Sequence, residues 1–248
     1  MIHFWKYYAF INLLPYSTKK NIAAASAAEV TSDNVVGYTR LTIEPGVFSI
    51  VGTQFFSVGN TSTVDVQDLF KAGPVDGDTI QFFNGGSYEL YSFSSVTYDE
   101  TWSKDLGPGW NDSIYGTRAV RDVVPGEAFW LNSQSTSVTL AGQAETSAKI
   151  TVPCNGAFTL VSLPVPIEVD IQDIKFVGII DGDTIQFMRN GQYEMFSYSS
   201  VTYDETWSKD LGPGWNDSIY GTRATSTVNM AEGFWLMSSA AEVTISLE

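Results

Sequence analysis

The chain of 248 residues has one cysteine, Cys154, and one histidine, His3. A single thiol excludes an intrachain disulfide and any cysteine-based metal cluster, so the fold has to be held by its core. With His3 close to the N-terminus, the rest of the chain offers no imidazole to serve as base in a Ser/His or Cys/His arrangement. GxSxG, HExxH and glycine-rich phosphate-loop patterns are lacking as well, and neither a cofactor nor a metal is expected. Basic residues are scarce: 13 Lys and Arg stand against 28 Asp and Glu, a formal charge of −15, and no Lys/Arg cluster follows residue 20. Nucleic acid and anionic membrane surfaces are therefore poor candidates as partners, and neither is expected. No apolar run approaches the ~20 residues of a membrane span.

What the chain does have is apolar and aromatic content, 44% and 14%, ample for real cores. Its first 28 residues differ from the rest, holding Lys6, Lys19, Lys20 and His3 but no acid. Lys6 followed by YYAFINLL is a basic-then-apolar start, and Ser26 and Ala28 fit the small-residue positions of a signal-peptidase site. Pro15 and Lys19-Lys20 interrupt the apolar part, and a cytosolic tail is the alternative. The expectation is a leader over residues 1–28 and a secreted, cell-surface or periplasmic protein.

The dominant feature is a repeat. SSVTYDETWSKDLGPGWNDSIYGTRA occupies Ser94 to Ala119 and recurs without substitution from Ser199 to Ala224. At the same offset DGDTIQFF at Asp76 meets DGDTIQFM at Asp181, VDVQD at Val64 meets VDIQD at Val169, and EAFWL at Glu127 meets EGFWL at Glu232. Identity falls to 11 of 18 in the residues just before the 26-residue block, Asp76 to Phe93 against Asp181 to Tyr198. Folding gives no reason for so abrupt an edge, whereas local copying of DNA between the repeats does, so the perfect match is weak evidence of function. Two tandem homologous units follow, 29–140 and 145–248, joined near Ala141 to Lys149.

Each unit reads as all-β. GYTRLTIE, VFSIVGTQFF, DTIQFF, YELYSFS, EAFWLNS and SVTLAG are short runs rich in β-branched and aromatic residues between Gly, Pro, Asn and Asp clusters. Asn190-Gly191 and Gly85-Gly86 sit where a two-residue type I′ hairpin turn is expected. About six short strands per unit predict a small β-sandwich or β-barrel, made twice.

The repeated block holds the candidate binding residues: Tyr98, Trp102, Trp110 and Tyr115 in the first copy, Tyr203, Trp207, Trp215 and Tyr220 in the second. Gly107-Pro108-Gly109 predicts a long surface loop, or a loop plus a short strand, there. Aromatic planes beside Asp99, Glu100, Asp105 and Asp112 are how a shallow surface grips a sugar, although such rings equally anchor a loop to its own sheet. The DGD turns at Asp76 and Asp181 offer paired carboxylates to calcium, or simply begin a strand. Asp99/Glu100 and Asp204/Glu205 leave a glycan-active enzyme as a minor alternative. FWL at Phe129 and Phe234 reads as core strand, and Cys154 in VPCNG as an exposed turn residue. Arg189, replacing Asn84 of the first copy, would add a donor to Asp204 or Asp210 if the loop folds back over the turn, which the first unit could not match.

The order FTLVSLPV, VDIQD, DGDTIQF, a Trp-bearing loop and PGEAFWL or AEGFWL resembles a repeat of exported proteins of Verrucomicrobia- and Lentisphaerae-type bacteria, with the pattern N-L-V-S-L-P … DGDTI … L-x-P-G-x-G-F-W. It spans Glu29 to Glu248, departing at Ala128, where the repeat prefers Gly. The resemblance implies export and carries no catalytic or ligand residue. The expected function is a non-catalytic, exported β-repeat protein acting in extracellular or cell-surface interaction with a glycan or another surface protein, and a carbohydrate-binding module is the alternative.

Overall fold

A computed structural model describes residues 36–59, 62–99, 104–112, 116–144, 149–204, 209–217 and 222–247, and they form an all-β protein. The first half contributes β1 (Val36–Thr42), β2 (Ser49–Gly52), β3 (Phe55–Phe56), β4 (Val64–Asp65), β5 (Thr79–Asn84), β6 (Ser87–Asp99), β7 (Lys104–Asp112), β8 (Asp122–Val123), β9 (Ala128–Asn132) and β10 (Ser137–Ala144). The second contributes β11 (Lys149–Pro153), β12 (Phe158–Ser162), β13 (Val169–Asp170), β14 (Lys175–Val177), β15 (Thr184–Arg189), β16 (Gln192–Asp204), β17 (Lys209–Asp217), β18 (Thr227–Val228), β19 (Gly233–Met237) and β20 (Glu242–Ser246).

All pairings are antiparallel, and the same set of sheets is built twice. A five-stranded sheet of order β2-β9-β5-β6-β7 recurs as β12-β19-β15-β16-β17, and a two-stranded ribbon β4-β8 recurs as β13-β18. The three-stranded sheets differ in their third member, β1-β10-β3 against β11-β20-β14. Alternation along β5 shows why each five-stranded sheet is two-faced. Ile80 and Phe82 point into a core shared with Val138 and Leu140 of β10, whereas Gln81 and Phe83 point the other way. Phe129 and Leu131 of β9 join that core, and Phe234 and Leu236 take the same places in a separate core of the second half.

The hairpin turns fall where the sequence places them: Asn84 pairs with Ser87 and Arg189 with Gln192. Gly85, Gly86, Asn190 and Gly191 all take the positive φ that a type I′ turn demands. The DGD motifs are turns. Asp78 is buried, and its carboxylate accepts from the Ser133 hydroxyl (2.5 Å) and from the amides of Gln134 (2.8 Å) and Val75 (3.0 Å). Asp183 does the same with Ser238, Ser239 and Ile180. Cys154 departs from expectation: it is buried in the second core with its Sγ 3.6 Å from the Val152 carbonyl. Burial, with the nearby Asp183 charge, pushes its thiol pKa up.

The two halves share a seam. Ile50, Ala128 and Trp130, on the outer face of the first five-stranded sheet, pack against Leu160 and Trp235 of the second, with Phe83 and Met188 at the margins. The seam is approximately two-fold. The Gly52 amide donates to the Ala231 carbonyl (2.9 Å), and the Ser162 amide, at the corresponding place, donates to the Gly126 carbonyl (2.8 Å). Bridges Val51↔Glu232 and Glu127↔Val161 are related in the same way. A Cβ on Gly52 would lie 2.3 Å from Ser162 Cβ, so at least one of these equivalent positions must be glycine. Of the expected linker, residues 145–148 lie outside the described residues.

Candidate functional site

The described parts of the repeated block form mostly strand, where a long surface loop or a loop with a short strand is expected. Its first part continues β6 and its second is β7, the outer strand of the sheet. The pairing runs through Ser94↔Gly109, resumes at Thr97↔Gly107 and so skips Pro108, which has no N–H to offer. Gly107 supplies the positive φ of this bulge. Gly109 is required for a different reason: a Cβ there would lie 2.5 Å from Gln67 Oε1 and 2.8 Å from the Arg118 guanidinium.

Those two side chains finish the sheet edge. Gln67 Nε2 donates to the carbonyls of Trp110 and Ala119 (both 2.8 Å), and its Oε1 accepts the Trp110 amide (2.9 Å). Arg118 donates to the Leu106 carbonyl (3.1 Å). Gln172 and Arg223 repeat the arrangement in the second half. An exposed strand edge is an open invitation to pairing, and a side-chain amide and a guanidinium blunt this one. The VDVQD and VDIQD motifs carry the glutamines; Gln67 sits in the middle of a short 3-10 turn (Val66–Asp68), which gives no sequence signal of an edge cap.

Of the candidate binding residues, Trp110 and Trp215 are core residues, 1% and 2% exposed. Trp110 is enclosed by Phe70 (5.9 Å between ring centroids) and Phe93 (5.3 Å), and Trp215 by Phe176 (5.1 Å) and Tyr198 (5.5 Å). The expectation that they form an exposed platform is corrected: the bulge keeps the strand alternation that turns them inward. Tyr98 and Tyr203 lie on β6 and β16, opposite Asp105 and Asp210, with their side chains outside the described residues. Trp102, Tyr115, Trp207 and Tyr220 also lie outside them, as do Glu100 and Glu205. Among the described residues no three His, Cys, Asp or Glu side chains cluster as metal ligands, and no helix is long and apolar enough to cross a membrane.

Arg189 closes the second hairpin onto two glutamates. Its guanidinium donates to Glu232 Oε1 (2.6 Å) and Oε2 (2.7 Å), to Glu194 (3.0 Å) and to the Ser226 hydroxyl (2.9 Å), and it covers the Phe187 ring at 4.4 Å. The guanidinium thus lies over the inner face of the hairpin, and the side chains of Asp204 and Asp210 lie outside the described residues. The first half reaches the same arrangement from another strand: Arg121, where the second has Ser226, donates to Glu127 (2.5 and 3.2 Å) and Glu89 (2.9 Å) and covers Phe82 at 3.6 Å. The bonded guanidinium holds the Glu89 carboxyl below its ordinary pKa.

The uncovered part of the outer sheet face lies beside the seam. Tyr88 and Leu90 on β6 are 49% and 40% exposed, and Tyr193 and Met195 stand at the same places on β16. Where this face meets the seam, Phe48, Gln81, Tyr88, Trp130 and Met188 line an open trough of about 330 Å³. Phe48 meets Trp130 edge-on (6.0 Å), and in the second half Phe158 meets Trp235 in the same way (6.0 Å). Phe48 and Gln81 are 33 positions apart in sequence and are brought together by the strand order of the sheet, which leaves no local signal for the trough. Comparisons with protein-family models, curated proteins and solved structures return no match.

Proposed function

We propose that the chain is a non-catalytic, exported binding protein that acts at or beyond the cell surface through the uncovered outer faces of its two five-stranded sheets. The observation that carries this reading is the pair of exposed apolar rows, Tyr88 with Leu90 and Tyr193 with Met195, held on hairpins that the Arg–Glu clusters and the cores beneath fix in place. Exposed apolar side chains grouped on a preformed surface are what a binding face requires. Export is supported by the leader-like residues 1–28, by the acidic remainder and by the resemblance to the exported repeat.

Two measurements test the reading. Mass spectrometry of the protein from the culture medium or envelope of its host is expected to show a start near Glu29; intact Met1 on cytosolic protein alone overturns export. The purified full chain is expected to bind washed host cells or their extracellular matrix saturably. A Tyr88→Ala plus Tyr193→Ala variant that folds and binds as before would remove these faces from the function.

A further inference from the structure

We infer that the trough at the seam is a binding site for one ring of a neutral, β-linked glycan with gluco-configured residues. The inference rests on the binding-protein reading and gives it a ligand class and a location. Phe48 and Tyr88 offer half-exposed ring surface to the trough, and Trp130, which is 7% exposed, lines it with them. Gln81 lines it too, and its side chain makes no hydrogen bond among the described residues, although its amide is both donor and acceptor.

Aromatic walls with one free amide match the two-sided chemistry of a pyranose, whose C–H face packs on rings while a hydroxyl takes the amide. Residues with equatorial substituents present the widest flat C–H face, which selects the gluco configuration. The volume of about 330 Å³ lies at the lower end of ligand clefts and suits a ring rather than a folded partner. A formal charge of −15 opposes polyanionic glycans, which leaves the neutral ones.

The trough takes Met188 from the second half and the other four residues from the first, so it exists only when the seam is closed. Its counterpart differs at the amide: Gln186 Nε2 lies 3.5 Å from Met195 Sδ, a weak contact that the first half lacks because Leu90 stands there. One tight site per chain follows, with Gln81 as the polar determinant.

The test titrates the full chain with cellotetraose and with chitotetraose, read by calorimetry and by tryptophan fluorescence. The expected result is saturable binding of one equivalent of either sugar, weakened about tenfold by Tyr88→Ala and, separately, by Gln81→Leu. Val120→Ser, a change at an exposed position outside the trough, is expected to leave binding unchanged. Thermal melts establish that each variant is folded. No saturable binding of either sugar, or binding indifferent to both trough variants, overturns the inference. Applying the unmodified chain to washed host cells separates the two ideas: a chain that binds cells but neither sugar leaves the binding-protein reading standing, and one that binds neither sugars nor cells removes both.

Discussion

The two halves place a guanidinium over the same phenylalanine and between the same two glutamates, yet deliver it from different strands. In the first half it comes from Arg121, ahead of β8, and in the second from Arg189, at the end of β15. The aromatic cover of the buried tryptophan shows a similar shift. Phe70-Lys71 in the first half becomes Lys175-Phe176 in the second, and both phenylalanines reach the Trp. What is kept between the halves is a set of contacts in space, whichever residue makes them. An alignment scores both cases as mismatches, although the interaction is intact.

The comparison breaks most severely at the tryptophans. Trp110→Ala and Trp215→Ala are each expected to cost about 3–5 kcal/mol in urea unfolding, because both rings are enclosed on every side. Similar losses would mean that the two cores are equivalent despite the transposed phenylalanine. A cost confined to one half would show that they are not.

Next in size is the seam. Gly52→Val puts branched carbon against Ser162 and is expected to cost about 3 kcal/mol, at the upper end for overpacking. It should also separate a single thermal transition into two by calorimetry. A single unshifted transition would mean that the seam contributes little.

A smaller effect is expected at the guanidiniums. Arg121→Met should cost about 1–2 kcal/mol, by removing charge-assisted bonds to Glu89 and Glu127. The double change Asn84→Arg plus Arg121→Ser rebuilds the second half's solution in the first and should recover most of that loss. Failure to recover it would show that each backbone is fitted to its own arginine.

The smallest effect is electrostatic. Because Glu89 is held below its ordinary pKa, its contribution to stability is fully present above the unfolded value, near 4.5, and disappears as pH falls through the lower folded value. Glu89→Gln should therefore flatten the acid side of the stability curve, slightly, since the side chain is 38% exposed. An unchanged acid limb would mean that the ion pair contributes nothing.

Much of the architecture is legible in the residues. The strand runs, both hairpin turns and the DGD turns can be read from alternation and turn chemistry, which depend on neighbours in sequence. The fate of Trp110 cannot be read that way. Gly-Pro-Gly is a strong break signal, and only the bulge, the missing partner opposite Pro108 and the Gln67 amide brought from 43 positions away let it stay in a strand. Cys154 is misread for a related reason: its turn is local, but its burial depends on Asp183 and β20 packing over it. The trough is the least legible element, since Phe48, Gln81 and Met188 come together only after the two halves have met.

The seam also explains where the chain could afford to make its copies identical. Every described contact of Ser94–Ala119 with Gln67, and of Ser199–Ala224 with Gln172, stays within one half, so overwriting one block with the other leaves both sets of partners satisfied. At two points of the seam a position faces its own equivalent: Gly52 meets Ser162, and Gly233 meets Ala128. Copying the second half's sequence there would set serine against serine where a Cβ already has no room. Homogenisation between the repeats is thus silent in the hairpins and self-defeating at the junction, and the two halves are kept from becoming one sequence by the surface on which they touch.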